Sequence, residues 1–246
     1  MKHNLQIAIV CIIAISLTGC SFMDSFLGVN IFDTPLELSA EDIQGMSIAD
    51  LQEAAGTEDF FDALAEDPAL VDEVLAVLDP ALPADGAPVT GTAEEQDAAI
   101  VATEVLIYSS PAGDLIENLT AEAEALLAGN IPQTPAGDPD VGAILAVLVP
   151  DSVMGPNGTI DEAAFIAMID ALAAADEYFQ ILGQSIGADG YDTGYANPGE
   201  IAMNAMLAAA VGAIVVPTNL LGQPLYASTG AYLYALLTDP DNTPEP

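Results

Sequence analysis

Ile160-Asp-Glu-Ala-Ala-Phe-Ile-Ala-Met-Ile-Asp-Ala-Leu-Ala-Ala-Ala-Asp-Glu-Tyr-Phe-Gln-Ile-Leu182 decides the fold class. Phe165, Ile169, Leu172 and Phe179 follow one another at steps of four, three and seven residues, so on a helix they line one stripe. Asp161, Asp170 and Glu177 fall off that stripe. The pattern is that of an amphipathic core helix. Alternation of period two, the mark of a half-buried strand, is scarce here and throughout the chain from Ser47 onward.

Cap signals divide the rest into helices of the same kind. Asp67-Pro68, Ser110-Pro111, Asp138-Pro139 and Asn197-Pro198 each set a good N-cap before a proline at the first helical position, where its missing N–H is harmless. Thr92 with Glu95 and Thr159 with Glu162 fit the capping box, and Ser47 with Asp50 is a weaker version. Gly56, Gly129 and Gly183 read as helix ends. Helices are predicted at 47–55, 58–66, 68–79, 93–109, 111–128, 139–149, 160–182, 198–216 and 227–238. The fold class is all-α, a compact or superhelical bundle of about eight or nine helices.

The run from Ile201 to Val216 is apolar all round apart from Asn204 and is stopped by Pro217. At this length it is expected to be a buried central helix rather than a membrane span, which needs roughly 20 apolar residues. The helical domain is expected over 47–238. The Pro/Gly/Ala-rich stretch from Pro80 to Gly91 either divides a small N-terminal layer from the main body or forms a long surface loop. Residues 239–246, rich in Pro and acid, are expected to be a disordered acidic tail.

Charge is distributed one way only. The chain has 38 Asp plus Glu and a formal net charge of −37, and Lys2 and His3 are its basic side chains; Arg and Trp are absent. From Asn4 onward no side-chain salt bridge is possible. Without His or Lys there is no Ser-His-Asp triad, Ser-Lys pair, Cys-His pair or Schiff base. A conventional zinc site lacks its ligands, and anionic ligands or nucleic acid lack a cationic partner. The chain is therefore not expected to be an enzyme, nor to bind nucleic acid or an anionic ligand. Because it is also 52% hydrophobic, it has material for a core. Its self-repulsion would be screened in concentrated salt, where the Debye length falls from about 8 Å at physiological strength to about 3 Å near 1 M. Adaptation to high salt is the leading explanation of the acid excess, and cation binding the rival one.

Lys2 and His3 precede an almost wholly apolar stretch from Leu5 to Leu17, and Leu17-Thr18-Gly19-Cys20 follows directly. These four residues resemble the lipobox of bacterial lipoproteins. The resemblance implies a signal peptide over 1–19, cleavage before Cys20, lipidation of Cys20 with palmitate-type chains, and a mature chain held on the membrane more firmly than one acyl chain allows. It implies an extracytoplasmic, lipid-anchored location at the cell membrane or outer membrane, and Ser21 in place of the aspartate that favours inner-membrane retention points outward. Residues 20–46 are expected to be a membrane-proximal tether. Within them Phe22, Phe26, Leu27, Ile31 and Phe32 either lie close to the membrane or pack back on the domain. Asp67-Pro68-Ala69-Leu70-Val71 with the Ala-rich stretch from Ala98 to Tyr108 is faintly similar to helical-repeat lipoproteins that accompany TRAP-type transporters, and no site residue is carried across on that likeness.

The loop from Gly187 to Glu200 is the best candidate for chemistry. Asp189, Asp192, Asn197 and Glu200 offer oxygens, and its glycines let carbonyls turn inward, as a calcium ion with six to eight oxygen ligands requires. The plainer reading is a solvated turn with Asn197 as a helix cap. Asn157-Gly158-Thr159-Ile160-Asp161 echoes an EF-hand loop, but Val153, Gly155 and Ala164 then stand where ligands belong, and Thr159 as a cap accounts for the same letters. Tyr191, Tyr195, Tyr226, Tyr232 and Tyr234 cluster near the end of the chain, either as packing or as the lining of an apolar or cation-binding pocket. Two functional classes follow: a non-catalytic interaction or scaffold lipoprotein with a protein partner in the envelope, or a ligand-binding lipoprotein serving as a transport partner or calcium binder.

Overall fold

Two serine caps open the folded chain. In the computed structural model, which describes residues 38–84, 87–127, 149–190, 198–219 and 221–238, Asp42 N–H donates to Ser39 Oγ and Ser39 N–H donates to the Asp42 carboxylate, and helix α1 (Ala40–Gln44) follows. Ser47 and Asp50 build the same reciprocal box at α2 (Ile48–Ala54), complete where the sequence reads as a weak version. The tether expected over 20–46 is thus too long at its far end. Ile43 is fully buried in the core, so the domain includes α1. A helix of one turn has no periodicity to announce it.

Then come α3 (Glu58–Glu66), α4 (Pro68–Leu78) with Asp67 accepting from the Ala69 N–H, a 3-10 turn (Asp79–Ala81), α5 (Ala93–Tyr108), α6 (Ala112–Leu127), a 3-10 turn (Asp151–Val153), α7 (Glu162–Asp189), α8 (Pro198–Gly212) and α9 (Thr229–Thr238). The described residues thus form nine helices and no strand beyond two isolated bridges, so the all-α class holds. Residues 139–148 of the helix expected at 139–149 and the tail at 239–246 lie outside the described residues, and residue 149 is a bend.

Helix α5 is the wall shared by two hydrophobic clusters. Its Ala98, Val101, Ala102 and Val105 face a cluster with Ile43, Leu51, Phe60, Leu64, Val74 and Leu78 from α1–α4. Its Ala99, Ile100 and Ile107 face a second cluster with Ile169, Leu172, Phe179, Leu207 and Val211 from α7 and α8. The N-terminal layer and the main body therefore share a helix that is buried nearly all round, and the stretch from Pro80 to Gly91 connects the layer to its own wall.

Helix α7 is longer at its end and shorter at its start than the sequence suggests. Asp161, not Thr159, is its N-cap, accepting from the Ala164 N–H at 3.0 Å. Thr159 is used one step earlier: its carbonyl accepts from the Gly155 N–H at 2.7 Å and closes a turn in which Gly158 takes φ +70°. The helix then runs through Gly183 and Gly187 to Asp189. Each internal glycine costs about 1 kcal/mol, and the contacts made beyond the expected stop, Ile186 against the core and the Gly190 carbonyl held by Gln96, outweigh it.

The central helix expected at 198–216 is also revised. Helix α8 stops at Gly212 and buries one face, Asn204, Leu207, Ala208 and Val211, against α7, while Ala202 and Ala209 are exposed. An alanine-rich helix reads as apolar all round, yet an exposed methyl group costs little. Among the described residues no single helix is long and apolar enough to cross a membrane.

Acids stand in the first turn of α1, α2, α3, α5, α6, α7 and α8, and no helix whose last turn is described carries a base there. Helix N-termini carry roughly half a positive charge. In a domain without cationic side chains, backbone N–H groups supply the counter-charge.

Candidate functional site

Of the four residues read as a calcium set, Asp189 and Glu200 are described, and they stand at opposite ends of α5. Asp192 and Asn197 lie outside the described residues. Asp189 packs beside Gly91, where an added Cβ would meet its Cβ at 3.0 Å, and Glu200 accepts from the Tyr108 hydroxyl at 2.8 Å. Gly91 and Tyr108 bracket α5, about 25 Å apart at 1.5 Å per residue. Side-chain reach does not bring the two carboxylates to the roughly 5 Å that separates ligands on one calcium ion. Among the described residues no group of three or more His, Cys, Asp or Glu converges to hold a metal.

Each of the two acids marks a polar knot instead. At the start of α5, Glu95 is 2% exposed and accepts from the Thr90 N–H at 3.0 Å, the Thr90 hydroxyl at 2.8 Å and the Gly91 N–H at 3.1 Å. Ser185 Oγ faces the same carboxylate, buried and without closing a hydrogen bond. Burial raises the Glu95 pKa, but the donors from Thr90 and Gly91 together lower it further, so the group sits below the ordinary glutamate value. Next to it Gln96 Nε2 donates to the Gly190 carbonyl at 2.8 Å, tying the start of α5 to the end of α7.

At the far end of α5 the Tyr108 hydroxyl donates to Glu200 and accepts from Asn204 Nδ2 at 3.2 Å, leaving Asn204 Oδ1 buried without a partner. Burial first, then the Glu200 and Glu104 carboxylates, push the phenol pKa up, and the Asn204 amide pulls it down by less. Such a phenol stays protonated and acts as a hydrogen-bond donor.

The second of these knots holds a unit of distinct composition. The 38 residues from Ile201 to Thr238 contain no Asp, Glu, Lys, Arg or His, in a chain where charged residues make up 16%. Helix α8 joins the acidic body at the Tyr108–Glu200 knot and again at Gly212, whose missing side chain leaves room for Asp176: an added Cβ would lie 2.3 Å from Asp176 Oδ2. Helix α9 joins it at Gly230, whose N–H donates to Asp170 Oδ1 at 2.9 Å and where an added Cβ would lie 2.7 Å from the Ile166 carbonyl oxygen.

Between α8 and α9 the described residues are cross-linked by hydrogen bonds. Leu225 N–H donates to the Pro217 carbonyl at 2.8 Å, Asn219 N–H to the Gln223 carbonyl at 2.9 Å, and Gly222 N–H to the Asn219 carbonyl at 2.9 Å. Asn219 Oδ1 accepts from the Leu221 and Gln223 N–H groups at 2.9 and 3.1 Å, and Gly222 takes φ +74°. Leu221 and Val215 are both 84% exposed. Of the five exposed large hydrophobic residues among those described, Val215, Leu221, Leu225 and Leu237 lie in this unit and Met154 outside it. Tyr226 and Tyr232 pair with ring centroids 5.1 Å apart, and Tyr234 packs on Phe165 at 6.1 Å, so these three tyrosines serve packing; Tyr191 and Tyr195 lie outside the described residues.

Among the described residues an open groove is lined by Met46, Ser47, Ile48, Val77, Ala81 and Glu94, at the junction of α2, α4 and α5. The uncharged unit escapes a reading based on apolar periodicity, because periodicity asks which residues are inside. A count of charges along the chain finds it at once. The chain matches no protein-family model, no curated protein and no solved structure.

Proposed function

We propose that the protein is a lipoprotein of the bacterial cell envelope, anchored through acylated Cys20, whose all-α domain is a non-catalytic interaction or scaffold module adapted to high salt. The observation that carries this reading is Leu17-Thr18-Gly19-Cys20 directly after the apolar stretch from Leu5 to Leu17. Support for a non-catalytic role comes from the inventory of side chains. Buried Glu95 is saturated by donors and buried Tyr108 is held protonated, so these two ionisable groups brace helices rather than exchange protons.

The test is metabolic labelling with an alkyne analogue of palmitate in a bacterial host. The expected result is label on the wild-type chain, a mass consistent with a mature N-terminus at Cys20, and loss of both in Cys20→Ala. An unlabelled wild-type chain that fractionates with soluble proteins would overturn the anchor.

A further inference from the structure

We infer that Glu200 and Asn204 of α8, held together by the Tyr108 hydroxyl and backed by Glu104 of α5, form a binding site for one calcium ion. The inference does not rest on the lipid anchor. Of the loop residues read as a calcium set from the sequence, only Glu200 belongs to it.

The first observation is an acceptor with nothing to accept. Asn204 is 4% exposed, its Nδ2 donates to the Tyr108 hydroxyl at 3.2 Å, and its Oδ1 is buried without a hydrogen-bond partner. Buried polar atoms are seldom left so, and a ligand against this oxygen removes the cost. The second observation is where that oxygen stands. Glu200 lies one helical turn before Asn204, so the two side chains share a face of α8. The Tyr108 hydroxyl binds both, donating to Glu200 Oε1 at 2.8 Å while it accepts from Asn204. Oδ1 and Nδ2 belong to one planar amide, so the unpartnered oxygen is an amide's width from the nitrogen that touches this hydroxyl.

Charge decides what the ligand is. Glu104 stands one turn before Tyr108 on α5, and the fields of Glu200 and Glu104 both reach the phenol. From Asn4 onward the chain has no cationic side chain to set against them. The roughly half-unit of positive charge at the start of α8 offsets less than one carboxylate. A water molecule would satisfy Asn204 and leave the two carboxylates uncompensated; a cation answers both needs. Two carboxylates match a divalent charge, and with the amide carbonyl they make an all-oxygen, hard-cation set. Calcium accepts such a set in flexible geometry and completes it with water, whereas magnesium demands a near-ideal octahedron and sheds its own water reluctantly. A calcium ion here would tie the end of α5 to the start of α8.

The probe is terbium, a hard ion of calcium's size that emits when excited through a nearby phenol, and Tyr108 is the antenna. The purified full chain is titrated with terbium in about 0.5 M NaCl, which screens loose binding by the other carboxylates. The expected result is tyrosine-sensitised emission that saturates at about one equivalent and is reversed by calcium at a lower concentration than by magnesium. Apparent affinity should fall at least about tenfold in Glu200→Gln, which keeps an acceptor for Tyr108, and rise in Asn204→Asp, which puts charge on the orphan oxygen. Asp72→Asn, at an exposed acid on α4, should leave it unchanged. Helix circular dichroism checks each variant, and loss of fold cannot imitate two effects of opposite sign. Emission that never saturates, Glu200→Gln binding as wild type does, Asp72→Asn losing as much as Glu200→Gln, or Asn204→Asp binding no tighter would overturn the site. Magnesium as effective as calcium would overturn the choice of ion. The anchor and the site fail separately. Palmitate on Cys20 without saturable terbium binding retains the anchor and removes the site; saturable binding without palmitate does the reverse.

Discussion

Replacing Glu95 by glutamine exchanges one carboxylate oxygen for an amide NH₂ where Thr90 and Gly91 present three donors to it. Oε2 receives the Thr90 N–H and hydroxyl, and Oε1 receives the Gly91 N–H. The best glutamine rotamer keeps its carbonyl toward Thr90 and turns NH₂ against the Gly91 N–H, orphaning one buried donor and removing the charge from the remaining bonds. At about 1–3 kcal/mol for an unsatisfied buried group, with charge-assisted bonds roughly twice as strong as neutral ones, E95Q should cost about 2–3 kcal/mol. The pH dependence carries its own sign. The folded pKa of Glu95 lies below the ordinary glutamate value of 4.5, so its contribution is present above that unfolded value and is lost as pH falls through the folded one. Glutamine does not titrate. The gap between wild type and E95Q should therefore be constant from about pH 8 to about pH 5 and narrow below that. Urea unfolding followed by helix circular dichroism is the assay, since the chain has no Trp and guanidinium would screen its charges. A cost under about 0.5 kcal/mol, the range of ordinary surface substitutions, or a gap as wide at pH 3 as at pH 7, would refute the reasoning.

Gly230→Ala should destabilise by about 1–3 kcal/mol or more, because its Cβ would lie 2.7 Å from the Ile166 carbonyl oxygen and part the Gly230–Asp170 contact. Gly183→Ala, with no atom within 4 Å of the new Cβ and a helical backbone, should instead gain about 0.5–1 kcal/mol; the same urea series reads both, and equal effects would contradict the packing described. Tyr108→Phe leaves the Asn204 amide with no buried partner and should cost about 1–3 kcal/mol, while an unchanged midpoint would mean that the knot does not hold α8. A thermal melt should move steadily upward with NaCl to several molar, and a midpoint indifferent to salt would mean that carboxylate repulsion is not what limits the fold.

Much of the fold is local and was legible as such. Asp67-Pro68 starts α4, Thr92 accepts from the Glu95 N–H at the start of α5, and the stripe from Phe165 to Phe179 does face the core. The misreadings have tertiary causes. Gly183 is a stop signal in isolation, but α7 continues because the Gly190 carbonyl at its end is held by Gln96, 94 residues away. Glu95 fits a capping box by spacing, yet its carboxylate serves Thr90 and Gly91, not Thr92, because the chain entering α5 folds over it. Asp189 and Glu200 are 11 residues apart in sequence and were grouped on that ground; α5, which separates them, is nowhere in the local text. The uncharged unit was legible as composition, but which of its apolar residues stand in water depends on where α8 meets α7.

A helix that completes two cores also makes each half depend on the other. The chain can be opened between Leu82 and Gly91, where no helix is broken. A fragment ending at Leu82 then holds Ile43, Leu51, Phe60, Leu64, Val74 and Leu78 with their opposite wall missing. The fragment beginning at Gly91 keeps the wall but bares Ala98, Val101, Ala102 and Val105. Neither piece closes alone, and each supplies the template that the other lacks. The two pieces should therefore behave as a split pair, the second retaining its core of α5, α7 and α8, with a gain of helix content on mixing as the signal that they have met.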